Sequence, residues 1–412
     1  MKPELMSPAG SYESLMAAIK AGADSVYFGV GRLNMRARSS QNFTLRDMKK
    51  IAGVCEEHNV KSYLALNTII YSGEIRRTRK ILDTAKKSGI SAVIACDISV
   101  IAYANSIGLE VHTSTQLNVS NIDAVRFFSG YADVIVLARE LELKDIKDIC
   151  SAIRKEKITG PSGNLIRIEL FIHGALCVSI AGKCYMSLAT YNEPANRGLC
   201  LQNCRRKYRV IDSETGDELV IDNKYVMSPK DLCTIGILDK IINAGVSVLK
   251  IEGRGRSPDY VDTATRVYRE AIDSIANRTY AKTKVSQWTK ELKTVFNRGF
   301  WHGGYYLGKR LGEWSGVYGS KATKEKRLIG VVRNYFSKKG VAEILIQAGG
   351  LKTGDRIMIT GPTTGIVCGR VQTMHINNKP AKRASRGDRI TIPAEKVRKN
   401  DKFYLVEGKH NI

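Results

Sequence analysis

Short apolar runs alternate with amphipathic stretches through the first 280 or so residues, and this alternation narrows the possible folds more than any other feature. The runs are Glu4–Ser7, Ser25–Gly29, Lys61–Asn67, Ala92–Asp97, Glu110–Thr113, Asp133–Ala138, Arg167–His173 and Ser247–Glu252. Their length and β-branched content predict strands. Helical segments lie between most of them. Ser11–Ala21 puts Leu15, Ala18 and Ile19 on one face and ends at Gly22; Thr44–His58 repeats Leu45, Met48, Ile51, Ala52 and Cys55 at helical spacing. Strands separated by helices run parallel, because each helix carries the chain back to the same edge. Eight such units close a TIM-like (β/α)8 barrel, with a doubly wound open sheet as the alternative. Two phrases agree with helix-to-strand turns: Ala21-Gly22-Ala23-Asp24 before the second strand and Ala244-Gly245-Val246-Ser247 before the eighth. In each, glycine is suited to end a helix in the left-handed conformation.

The spacing of the units is uneven. Between the seventh and eighth strands the chain runs from Gly174 to Val246, and this insert holds five of the nine cysteines. Loops that follow barrel strands build the active face, so chemistry is expected there. Residues 1–319 are read as the barrel with its insert. Ser320–Arg327 (SKATKEKR) is read as a charged linker, and 328–412 as a small C-terminal β-barrel. That last region carries predicted strands at Leu328–Tyr335, Val341–Ala348, Asp355–Thr360, Ile366–Met374 and Asp388–Ile392, with a Lys352-Thr353-Gly354-Asp355-Arg356 turn. It is strongly basic, through Lys379, Lys382, Arg383, Arg386, Arg389, Lys396, Arg398, Lys399 and Lys402, as an RNA-touching module would be.

The whole chain carries 65 Lys and Arg against 40 Asp and Glu, a net charge of +25. That excess favours a polyanionic partner, since displacing counterions from phosphates drives binding. No apolar stretch approaches the ~20 residues that span a bilayer, and no basic segment followed by an apolar run opens the sequence. The expectation is a cytoplasmic protein with no membrane partner.

Cys55, Cys96, Cys150 and Cys368 are scattered in apolar contexts and read as small buried hydrophobes. Cys177, Cys184, Cys200 and Cys204 instead fall within 28 residues, in the pattern C-x6-C-x15-C-x3-C. Four thiolates from one loop hold either a tetrahedral zinc or an iron–sulfur cluster. Zinc sites usually bring two tight cysteine pairs. Only Cys200 and Cys204 form one here, which favours an iron–sulfur cluster over zinc. Arg197, Arg205, Arg206 and Lys207 flank the pattern and would offset its negative charge.

Polar residues stand where predicted strands exit the barrel: Asn67, Asp97, Thr115, Gln116, Arg139, Glu140, His173, Lys250, Glu252 and Arg254. From these, His173, Glu252 and Arg254 are candidate catalytic residues, and Asn67, Arg139 and Lys250 candidate substrate-binding residues. His173 is placed to transfer protons or to donate to substrate; the alternative is a hydrogen-bonded core histidine. Lys250 and Arg254 suit a dicarboxylate or an RNA phosphate; the alternative for them and Glu252 is a structural ion network.

The stretch Glu169 to Ser187 reads E-x-F-x-H-G-A-L-C-x-x-x-x-G-x-C-x-x-S. It resembles the signature of the collagenase-like peptidase family of unassigned catalytic type. Further matches run in order along the chain: Glu4-Leu5-Met6-Ser7-Pro8-Ala9-Gly10, Asp24 to Gly29, Asn34-Met35-Arg36-Ala37 with Asn42-Phe43, Asn67-Thr68, Met227 to Leu232, and Lys250-Ile251-Glu252-Gly253-Arg254. Asn196-Arg197-Gly198-Leu199-Cys200 through Cys204-Arg205 is similar to the tRNA-hydroxylating branch of that family. The resemblance implies a [4Fe–4S] enzyme that forms 5-hydroxyuridine at the tRNA wobble position and requires prephenate. Related branches imply a ribosomal RNA cytidine substrate, or a paralogous partner subunit in ubiquinone ring hydroxylation. Some relatives draw a fourth cluster ligand from downstream, which makes Cys233 the alternative to Cys204; otherwise Cys233 reads as a buried thiol on a helix Asp231–Ile242. Peptidase and non-catalytic RNA-binding readings stay open, although the chain has no H-E-x-x-H helix and no G-x-S-x-G elbow.

Overall fold

The structure is a computed structural model that describes residues 2–38, 40–218 and 227–409. Seven strands come first: β1 Glu4–Pro8, β2 Ser25–Gly29, β3 Lys61–Leu66, β4 Ala92–Ala95, β5 Glu110–Thr113, β6 Val134–Val136 and β7 Arg167–Gly174. Each pairs in parallel with the next. After a short strand β8, Asp231–Cys233, comes β9, Val248–Ile251. It pairs in parallel with both β1 and β7 and so closes an eight-stranded parallel barrel. The open-sheet alternative is thereby removed.

Strand alternation supplies two cores. Met6, Tyr27, Tyr63, Ala92, Ile94, Val134 and Val248 fill the barrel interior. The opposite faces pack outward, for example Leu5, Val26, Phe28, Leu64, Val93 and Val111, under the helical layer. That layer comprises α1 Tyr12–Lys20, α2 Asp47–Glu57, α3 Ile75–Lys87, α4 Ile98–Ser106, α5 Ile122–Ser129 and α6 Leu143–Glu156, then the short insert helix α7 Met186–Tyr191, followed by α8 Leu238–Asn243, α9 Pro258–Ala276 and α10 Lys282–Leu292. Several starts are capped as their sequences dictate: Ser11 accepts from the Ser14 amide at 3.2 Å, Asp97 from Ser99 at 2.9 Å and Asn121 from Ala124 at 2.9 Å. Asp97 also accepts from the Ile70 amide at 2.8 Å, so this predicted strand-end residue is used in loop structure.

The expected helix over Asp231–Ile242 is corrected. Its first residues are extended: β8 lies antiparallel to the tip of β7, pairing Cys233 with His173, and parallel to β10, Phe300–His302. Helix begins only at Leu238. The apolar spacing of this stretch satisfies both periods, and pairing with two distant strands settles it.

The C-terminal region has its own core, built on Ile329, Val332, Ile344, Ile359, Ile390 and Phe403. Its strands are β11 Lys324–Phe336, β12 Val341–Ile346, β13 Gly350–Lys352, β14 Arg356–Gly361, β15 Gly365–Arg370, β16 His375–Ile376, β17 Lys379–Pro380, β18 Arg383–Ser385, β19 Arg389–Pro393 and β20 Lys402–Gly408. Eight of them form one antiparallel sheet, ordered β15-β14-β20-β11-β12-β19-β16-β17, and β13 pairs with β18 separately. Among the described residues the two edges do not pair. The small C-terminal β unit expected from the sequence is this antiparallel sheet, wrapped about its own core. The linker reading is corrected as well: Lys324–Arg327 already pair with Glu407 to Gly408 and their neighbours in β20. The partner strand lies some 80 residues away, beyond the reach of a local pattern. The sheet rests on the barrel flank, where Lys20 Nζ donates to the Thr364 carbonyl at 2.7 Å and Lys326 pairs with Asp259.

Candidate functional site

At the C-terminal end of the barrel strands lies a cavity of about 220 Å³. Cys177, Cys184, Cys200 and Cys204 all line it, brought there by the insert after β7. Cys233 does not line it; it is fully buried in β8 beneath Tyr268, whose hydroxyl points at its sulfur from 4.0 Å. Burial pushes the Cys233 thiol up to about 11. Burial also raises Cys204 to about 11, with the other three cavity thiols adding to the shift and Arg205 opposing it. The four sulfurs therefore sense one another. Yet no three His, Cys, Asp or Glu side chains among the described residues stand close enough for a single metal ion. Four thiols lining one cavity, with the Gln202 amide donating to the Cys200 sulfur at 3.4 Å, are a donor set that an iron–sulfur cluster could use.

Seven cationic side chains share the lining with one carboxylate: Arg36, Arg139, Arg205, Lys250, Arg254, Arg256 and Arg298 against Glu252. Three have acidic partners. Arg36 pairs with Glu252 at 2.6 Å, Lys250 with Glu169 at 2.7 Å and Arg298 with Asp231 at 3.5 Å. Burial acts to raise the Glu252 carboxyl, but Arg36 and Arg256 outweigh it and hold it at about 2. Glu252 is therefore ionised throughout the ordinary pH range. Arg254 is 4% exposed, and burial lowers its pKa to about 10. Its Nη1 has no hydrogen-bond partner, nor does the buried Nε of Arg139, whose guanidinium lies 4.4 Å from the centre of the Phe171 ring. Two glycines make the Arg254 position possible. A Cβ on Gly10 would stand 2.0 Å from the Arg254 carbonyl, and one on Gly29 2.2 Å from Nη1.

Asn67 sits on the same rim with its side chain fixed at both ends. Its Oδ1 accepts from the Met35 amide at 3.1 Å and its Nδ2 donates to Ser114 Oγ at 3.1 Å. Thr115 and Gln116 also line the cavity; Glu140 does not. His173 is placed elsewhere too. It is buried among Tyr260, Tyr268 and Phe300, with Tyr268 Oη 3.4 Å from its Nδ1. Burial, aided by Arg256, holds it neutral with a pKa of about 3. The physical reason is a register shift between Phe171 and His173 where β7 pairs with β9. Phe171 lines the cavity, and the bulge turns His173 away to the core position that was its alternative. The sequence reading overlooked Arg36, Arg256 and Arg298 as site residues, although Arg36 lies inside a quoted motif.

The family model described as Peptidase family U32 matches residues 10–316. The chain belongs to peptidase family U32. This U32 chain is 54% identical over 402 residues to a protein named collagenase from Porphyromonas gingivalis, covering 97% of each. It is 31% identical over 374 residues to tRNA hydroxylation protein P1 of Bacillus subtilis, covering 88% of this chain and 84% of that one. It is 34% identical over 274 residues to the 23S rRNA 5-hydroxycytidine C2501 synthase of Escherichia coli, covering 66% of this chain and 39% of that one. No helix among the described residues of the U32 chain is long and apolar enough to cross a membrane.

Proposed function

We propose that this chain is an iron–sulfur RNA hydroxylase whose substrate is a pyrimidine in an RNA loop, with tRNA uridine at the wobble position as the first candidate. One observation carries the reading: four cysteines and two partnerless guanidinium nitrogens line the same cavity at the catalytic end of a barrel. Cys177, Cys184, Cys200 and Cys204 would hold a [4Fe–4S] cluster, which supplies redox and Lewis-acid chemistry when bound. Arg254, Arg139 and Lys250 would bind the carboxylates of a small dianion such as prephenate, satisfying Arg254 Nη1 and Arg139 Nε. Glu252, held ionised by Arg36, orients that guanidinium and accepts hydrogen bonds, and is too acidic to donate a proton. Asn67, anchored by Met35 and Ser114, gives the base edge a rigid amide. A ribosomal cytidine is the alternative substrate, and a paralogous subunit remains compatible with the open mouth.

The name of the Porphyromonas relative favours a second reading, peptide hydrolysis. The cavity offers it little. Among the described residues no histidine lines it, His173 faces the core, and Glu252 is held far below the range of a general base. The deciding experiment is nucleoside mass spectrometry on tRNA and ribosomal RNA from deletion and complemented cells, beside gelatin cleavage by the purified protein. Loss of a hydroxypyrimidine on deletion is expected. Unchanged RNA together with gelatin cleavage that needs no iron would replace this reading with the peptidase one.

A further inference from the structure

Beside the central cavity lies a second hollow of about 350 Å³. The two share Asn67, Gln116, Gly182, Cys184 and Ala195 as lining, so the second lies directly against the cysteine side of the first. Its outer wall carries Tyr185, which is 74% exposed, with Lys183 and the half-exposed Ile69. Tyr185 thus offers an open ring face at the edge of the hollow.

The rim continues the same chemistry. Tyr71 is exposed, and its ring is covered by the Arg197 guanidinium at 4.1 Å. Arg197 is fixed in turn by Glu74 at 2.5 Å, at the turn that starts α3. From there α3 presents Arg76, Arg79, Lys80 and Lys87 along a shallow surface groove, with one carboxylate, Asp83, among them accepting from the Tyr103 hydroxyl at 2.9 Å. Flat aromatic faces beside a hollow, leading onto a row of cations, match what single-stranded nucleic acid requires: stacking for bases and charge for phosphates.

We propose that this hollow is the entry port for an unstacked RNA nucleotide. Tyr185 stacks the base or its neighbour, Lys183 meets the adjacent phosphate, and the α3 groove carries the flanking strand. The inference rests on the RNA reading above and adds to it the surface by which the loop is held. Charge selects RNA over a proline-rich peptide here: such a peptide also stacks on tyrosine, but it has no use for a groove in which four cations outnumber one carboxylate, Asp83.

The test uses the full-length protein and an RNA hairpin carrying 2-aminopurine in its loop, with the fully paired duplex as control. Tyr185→Ala should weaken hairpin binding about tenfold, the scale of one lost base stack. It should leave duplex binding unchanged, and Tyr185→Phe should restore hairpin affinity to within about twofold. Binding should also change 2-aminopurine fluorescence in wild type and not in Tyr185→Ala. Equal hairpin affinity in wild type and Tyr185→Ala would overturn the port. So would an equal loss on duplex, or a collagen-like peptide whose binding depends on Tyr185 while RNA binding does not. These readouts measure binding alone. A neutral Tyr185 alongside intact RNA hydroxylation sinks only the port, whereas RNA pools unchanged by deletion sink the function whatever Tyr185 does.

Discussion

The two ends of the barrel treat buried charge in opposite ways. At the floor, Arg167 reaches Glu4 at 2.7 Å and Glu110 at 3.0 Å, Tyr63 donates to Glu4 at 2.7 Å, and His112 lies 3.1 Å from Glu110. Burial would raise the Glu4 carboxyl, but the hydrogen bond from Tyr63 and the charge of Arg167 bring it below its usual value. Acids and bases are matched there. At the mouth seven cations face one carboxylate, and Arg254 and Arg139 keep partnerless nitrogens. An unpaired buried cation lowers stability unless a ligand completes it. The floor is built for folding and the mouth for binding, as barrel enzymes generally divide them.

The largest expected effect lies at the mouth. Replacing Cys177, Cys184, Cys200 or Cys204 by alanine should abolish the ~400 nm absorption and iron content of anaerobically purified protein. Cys233→Ala should keep both. Stoichiometric zinc without iron would sink the cluster.

Next is a crossed pair of substitutions. Arg254→Met should reduce RNA modification by about a hundredfold yet leave stability within about 1 kcal/mol, because it removes an uncompensated charge. Arg167→Met at the floor should do the reverse, losing about 2 kcal/mol with the chemistry retained in the folded fraction. Urea unfolding and modification assays on both variants decide it. If Arg254→Met unfolds as readily as Arg167→Met, the division between the ends is wrong.

A smaller effect concerns the C-terminal sheet. Exchanging Lys379, Lys382 and Arg383 for glutamate should weaken RNA binding several-fold at low salt and flatten its salt dependence. An unchanged salt slope would confine RNA contact to the barrel.

The smallest is a pH effect at His173. Its folded pKa is near 3, below the ordinary 6.5, so the unfolded chain binds the extra proton first. Stability conferred by His173 is complete above about pH 6.5 and declines by up to ~1.4 kcal/mol per unit as pH falls toward 3. His173→Phe should remove that slope while retaining modification, since the ring lies outside the cavity. A modification loss greater than the stability change accounts for would return His173 to the catalytic group.

Much of this division was legible in the residues. The eight strands, the insert and the four cavity cysteines follow from period and spacing. The limits were equally physical. Asp231–Cys233 satisfies both helical and strand periods, and only pairing with β7 and Phe300 to His302 decides between them. His173 follows strand alternation on paper, and a bulge reverses it. In a chain with 65 Lys and Arg, nothing local marks Arg256 and Arg298 as enclosed, and Arg36 is marked only by the motif that contains it. Three-dimensional closure alone singles them out.

The seating of the C-terminal sheet has a consequence for substrate size. Gly365, at φ +68°, lies so close to α1 that a Cβ would stand 3.0 Å from the Ala17 nitrogen, and Lys326 ties β11 to Asp259 on α9. The sheet is thereby bolted to the barrel instead of swinging on a tether. An RNA gripped by both bodies is measured as by a caliper: its reacting loop and its distant backbone must be a set distance apart. Gly365→Glu, which wedges the jaws open, should widen the range of stem lengths accepted; unaltered length selection would show that the caliper does not operate.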